Sequence, residues 1–180
     1  RVHLESNGVT YSKELIVVKD PHSEGTIEDI KLQNDLMNKI YNDLNTTAMY
    51  VNSIESVRRQ LIDLKSALAG NGKDDNLISE VDNLERKFLD IEKRLLQLKT
   101  TGKGQDAMRY PKMIGEKLTY LAENVQISDF RPADSYYEVY ELLHERLQDV
   151  GLEYDNLVSN DLEEFISKMN SLDIKNIVLN

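Results

Sequence analysis

The 180-residue chain has no cysteine and no tryptophan, and only 3 prolines and 8 glycines. The missing cysteines exclude disulfides, thiolate metal sites and cysteine nucleophiles together. The scarcity of proline and glycine leaves room for long uninterrupted helices. No apolar run approaches the roughly 20 residues that span a bilayer as a helix, so membrane insertion is not expected. Basic residues are in deficit, with 22 Lys and Arg against 32 Asp and Glu and a net charge of −10. Binding to nucleic acid needs clustered cations that displace counterions, so nucleic acid is not an expected partner. The acidity reads instead as a solvated helical surface.

What is there divides at Asp20-Pro21. Before it, Val2 to Lys19 alternates with the period of a β-hairpin, with Asn7-Gly8 as the turn, because both positions tolerate positive φ. The return strand is expected from about Val9 to Lys19, with Tyr11, Leu15 and Val17 on one face, and Pro21 ends it for want of an N–H. A lone hairpin cannot cover its own apolar face. Residues 1–21 therefore read as the end of a sheet whose other strands lie elsewhere, and the opening Arg1 leads us to expect a piece cut from a longer protein.

After a linker at 22–25, residues 26–180 keep helical time. Thr26 is placed to cap a long first helix, with Asp29 three residues on. Ile30, Met37, Leu44 and Val51 recur every seven residues, and Ile40, Thr47, Ile54, Leu61 and Leu68 form a second seam. Asn45-Thr46-Thr47 is the weakest stretch and the place for a kink, and Gly70-Asn71-Gly72 closes the helix. A second helix carries Leu77, Val81, Leu84, Phe88, Ile91, Leu95 and Leu98, a narrow seam suited to an antiparallel neighbour. Pro111 is expected in the first turn of a third helix along Met113, Ile114, Leu118, Leu121 and Val125. A fourth starts near Asp134, with Gly151 marking a close approach or a bend. Asn160 to Glu163 reads as a capping box for a last short helix that turns Phe165, Ile166 and Met169 inward. Ile174 to Leu179 is apolar enough to dock. The expected fold is mainly α: an up-and-down antiparallel helical bundle with a long first helix, preceded by a β-hairpin.

Chemistry-bearing patterns are sparse. Glu141 and His144 have the Glu-x-x-His spacing of a bundle metal ligand pair. The other histidines, His3 and His22, lie outside the helices, and Gln148 stands where a zinc-protease motif needs its second histidine. Gly102-Lys103-Gly104 lacks the spacing, the preceding strand and the following hydroxyl residue of a phosphate loop, so it reads as a connector. Carboxylates such as Asp74-Asp75, Glu163-Glu164, Glu123 and Asp129 fall on helix faces or in loops, with no sign of the convergence a glycosidase requires. No catalytic residue, metal ligand or cofactor is assigned. The remaining lead is aromatic: Tyr136, Tyr137 and Tyr140 lie within about one turn. Packing is the commoner origin of such a stripe, and a surface for protein or glycan capture is the alternative.

A wider pattern is carried by Leu15-Ile16-Val17-Val18-Lys19-Asp20-Pro21, Gln33 to Leu36 and Ile54-Glu55-Ser56-Val57-Arg58-Arg59-Gln60-Leu61. It continues through Leu95-Leu96-Gln97-Leu98-Lys99 with Gln105-Asp106, Arg131-Pro132, and Asp161-Leu162 with Phe165. This order resembles the C-terminal region of bacterial, Bacteroidetes-type sortilin-like proteins with BNR/Asp-box β-propellers, commonly labelled glycosyl hydrolases. His22 departs from the arginine usual in that family's linker. The resemblance implies that the hairpin ends an Ig-like β-sandwich domain, that the parent is exported to the periplasm or cell surface, and that the upstream domains of the same polypeptide are partners. No Asp-box (Ser-x-Asp-x-Gly-x-Thr-Trp) occurs in this chain, so the resemblance implies that any hydrolase chemistry lies outside it. The expected role is a non-catalytic module for domain packing, spacing or protein interaction; the alternatives are a ligand- or glycan-binding module at the tyrosine-rich bundle end and a metal-dependent bundle enzyme using Glu141 and His144.

Overall fold

The computed structural model describes residues 1–70 and 75–172. The closure at Asn71-Gly72, Asp74 of the acidic pair and the docking of Ile174 to Leu179 lie outside the described residues. The chain is mainly helical: β1 (Val2–Ser6) and β2 (Val9–Lys13) are followed by α1 (Ile27–Gly70), α2 (Asp75–Leu95), a single turn α3 (Asp106–Arg109), α4 (Ile114–Val125) and α5 (Asp134–Asn156). A π-helical stretch, Leu157–Leu162, then leads without a break into α6 (Glu163–Ser171).

β1 and β2 pair antiparallel from Val2↔Lys13 to Ser6↔Val9, and Asn7 and Gly8 both take positive φ, 49° and 76°. The return strand stops at Lys13 rather than Lys19. With no third strand among the described residues to receive its hydrogen bonds, Glu14 to Asp20 takes no regular structure. Every hairpin residue is exposed, and the two strands touch no helix. Asp20 then makes a tight turn with Pro21: its carboxylate accepts His22 N–H at 2.8 Å and its carbonyl accepts Ser23 N–H at 3.2 Å. Gly25 is buried against the connection between α4 and α5, where a Cβ would lie 2.1 Å from the Asp129 carbonyl oxygen.

Thr26 caps α1 as expected. Asp29 N–H donates to Thr26 Oγ1 and Thr26 N–H donates to Asp29 Oδ2, each at 3.0 Å, and these bonds hold the Asp29 carboxyl below its ordinary value. α1 runs 44 residues without interruption, about 66 Å at 1.5 Å per residue. No break occurs at Asn45, because Thr46 and Thr47 return their hydroxyls to the carbonyls of Asn42 and Asp43, at 3.0 and 2.8 Å, and so satisfy themselves inside the helix.

The long-range contacts give the register. Arg58 reaches Glu85 and Glu92 while Lys65 reaches Asp82, so α2 descends along the C-terminal half of α1. α4 continues downward along the N-terminal half, bringing Gln33 Nε2 to the Val125 carbonyl at 2.8 Å. The rod α5–π–α6 then climbs parallel to α1, Asp43 meeting His144 and Ser53 meeting Tyr154 at one constant offset of 101 residues. The bundle is thus three rods running up, down and up, the middle one assembled from two helices.

The core follows the expected seams, with Ile40, Ile54, Leu61, Phe88, Leu95, Leu118 and Leu147 essentially inaccessible. Three boundaries differ from expectation. Leu98 is outside α2 and exposed, since Glu116 Oε1 takes the Gln97 N–H at 2.8 Å and ends that helix. Pro111 precedes α4 rather than opening it, because Glu116 Oε2 also accepts Met113 N–H at 3.0 Å and fixes Met113 as the cap. Asn160 caps nothing. The backbone is helical on both sides of it, and the wide π turn brings Leu157 and Leu162, five residues apart, to the same buried face.

Candidate functional site

Two places concentrate polar or aromatic groups beside α5. In the first, Asp43 occupies a seam position of α1, between Ile40 and Thr47, and is buried. Its Oδ2 lies 2.8 Å from His144 Nδ1, and Tyr140 Oη approaches the same nitrogen at 3.3 Å. The Tyr140 and His144 rings stack at 5.6 Å. The constant register between α1 and α5 makes this meeting, which sequence spacing alone did not signal. Burial first, and then the Asp43 carboxylate, push the Tyr140 phenol up to about 12. With Asp43 accepting, the proton of a neutral His144 belongs on Nδ1. No serine or threonine hydroxyl among the described residues bonds the remaining ring nitrogen, and the Asp43–His144 contact ties α1 to α5. Glu141, the other half of the Glu-x-x-His pair, is exposed, and no group of three or more His, Asp or Glu converges among the described residues.

The second place is a groove of about 450 Å³ between α4 and α5. Its floor is Tyr120, Leu121, Tyr136, Val139, Leu142 and Leu143, and its rim is Lys112, Lys117, Arg146 and Asn124. Tyr120, Val139 and Leu142 are exposed there at 58%, 44% and 47%. Lys112 Nζ sits 4.6 Å from the centre of the Tyr120 ring, a cation–π contact. No carboxylate lines the groove, and none of its three cations forms an ion pair among the described residues.

The three tyrosines of the sequence pattern are thereby separated. Tyr136 lines the groove, Tyr137 is half-buried against the core, and Tyr140 is 5% exposed beside His144. They do not form one contiguous exposed platform, because successive helical positions point in different directions and Tyr140 falls on the inward stripe. Tyr154, on the same rod, packs against Tyr50 and Phe88 and shares a 2.6 Å hydrogen bond with Ser53.

The other patterns have structural surroundings. The loop at Gly102-Lys103-Gly104 is organised by Asp106, whose Oδ2 accepts Thr101 N–H at 2.6 Å, and this carboxylate opposes phosphate binding. Asp161 pairs with Lys87, while Glu163 and Glu164 are exposed on α6. Among the described residues no helix is long and apolar enough to cross a membrane. Compared with known proteins, the chain matches no family model, no curated protein and no solved structure.

Proposed function

We propose that this chain is a non-catalytic helical-bundle module of a larger exported protein, acting to pack against or space neighbouring domains. The observation that carries the reading is the hairpin. Val2, Leu4, Val9 and Tyr11 are exposed on it, and the adjoining Ile16 and Val17 are 80% and 86% exposed, although the chain builds a complete core a few residues later. Apolar residues of β character left uncovered beside a finished core suit a segment completed by further β-structure. The resemblance to the C-terminal region of sortilin-like BNR/Asp-box proteins supplies a context for that completion, an Ig-like domain in the periplasm or at the cell surface. Asp43, His144 and Tyr140 converge, but no serine or threonine hydroxyl among the described residues bonds the remaining His144 nitrogen, which supports a structural role over a chemical one.

Hydrogen exchange on the purified chain tests this directly. The hairpin amides from Val2 to Lys13 are expected to exchange far faster than those of α1, and nitrophenyl glycosides are expected to survive incubation. Protected hairpin amides, or glycoside turnover at enzyme-like rates, would overturn the reading.

A further inference from the structure

The groove between α4 and α5 has a direction as well as a composition. The connection between the two helices is short, so they run antiparallel. Lys112, two residues before α4, and Lys117, in its first turn, therefore lie toward the same end as Arg146, six residues beyond Tyr140 on α5. Tyr120, Tyr136, Val139 and Leu142 extend from that end toward the loop. Three cations without ion-pair partners among the described residues crown one end of an apolar trough in a chain whose net charge is −10. Its volume falls in the range of small-ligand sites, about 300–1,000 Å³.

We propose that this groove binds a small anionic amphiphile, a fatty carboxylate or similar acyl anion, with its head among Lys112, Lys117 and Arg146 and its tail along Tyr120, Val139 and Leu142. Charge complementarity selects the head, since a neutral or cationic ligand leaves the three cations unanswered. The apolar floor selects the tail. None of the residues that line the groove comes from the hairpin.

Backbone amide NMR on the full chain tests it, using decanoate below its micellar concentration and decanol as the uncharged counterpart. Decanoate is expected to saturate, with shifts confined to residues 112–124 and 136–146, and decanol to bind more weakly. The double variant Lys117→Gln/Arg146→Gln, altered only at exposed side chains, is expected to weaken decanoate about tenfold, the combined effect of two exposed charge contacts, and to leave decanol unchanged. Equal binding of decanoate and decanol, shifts scattered over other faces, or indifference to the double variant would overturn the proposal. So would an acidic amphipathic peptide that fills the groove when decanoate does not.

Discussion

At Gly151 a methyl group would lie 2.6 Å from the Tyr50 hydroxyl oxygen and 3.3 Å from the ring carbon that bears it. Alanine there gains about 1 kcal/mol of helix propensity but overpacks a site whose ring is held against Tyr154, typically a cost of about 1–3 kcal/mol. Gly151→Ala is therefore expected to destabilise in the native background and to become neutral or stabilising when Tyr50→Phe removes the oxygen. A double-mutant cycle in urea reads this coupling, and additive effects would contradict the close approach. Tyr140 gives a second residue-scale prediction. Its phenol ionises at 10.0 in the unfolded chain and at about 12 in the fold. The unfolded state thus loses its proton first as pH rises. Stability owed to the neutral phenol is intact below pH 10 and disappears between 10 and 12, a loss of roughly 2–3 kcal/mol. Urea midpoints followed through that window should fall, and Tyr140→Phe should make the fall shallower. The site was only partly legible from sequence at this scale. Asp43 stands on the seam between Ile40 and Thr47, and a carboxylate there requires a partner. Nothing local identifies that partner as His144, because it is supplied from another helix.

At the scale of elements, the α1–α2 pair rests on apolar seams and one buried charge. Glu92 is 2% exposed and pairs with Arg58, whose Nε also donates to Glu85 Oε1 at 2.8 Å. Burial lowers the Arg58 pKa, but its two glutamates more than offset this and hold it above its ordinary value. Arg58→Ala leaves Glu92 buried and unpaired and is expected to cost about 3–5 kcal/mol, while replacing both by apolar residues of similar size should recover most of it. Equal losses in the single and double variants would rule this out. Leu84→Asp or Leu95→Asp is expected to unfold the bundle, since each places an unpaired charge in the seam at a cost of several kcal/mol; an unchanged thermal melt would remove the seam assignment. The seams themselves were readable because each helix repeats one burial pattern over many turns. The end of α2 was not, because Glu116, a side chain of α4, takes the Gln97 N–H; the start of α4 was missed because Met113, which Glu116 also fixes, is not a residue type that marks a cap. The π stretch escaped for a related reason: Asn160 to Glu163 has the residue types of a cap, yet the bundle surface favours continuing the rod.

At the scale of the molecule, the hairpin precedes Asp20-Pro21 and every helix follows it. The strands touch no helix, so deleting residues 1–19 is expected to shift bundle stability by no more than about 0.5 kcal/mol, as for a neutral surface change; a larger drop in the thermal midpoint would show that the hairpin supports the helices. The Asn-Gly turn, the change from β to helical period at Pro21, the Thr26 cap and the helical seams were all legible in the order of residues. All of these depend on residues within a few positions of one another. That α2 and α4 share one rod, that Asp43 meets His144, that the tyrosines divide between core and groove, and that three cations gather at one end of that groove became visible in the packed fold alone. Those outcomes depend on the register between rods, which is set by packing across the whole bundle rather than by any local run of residues.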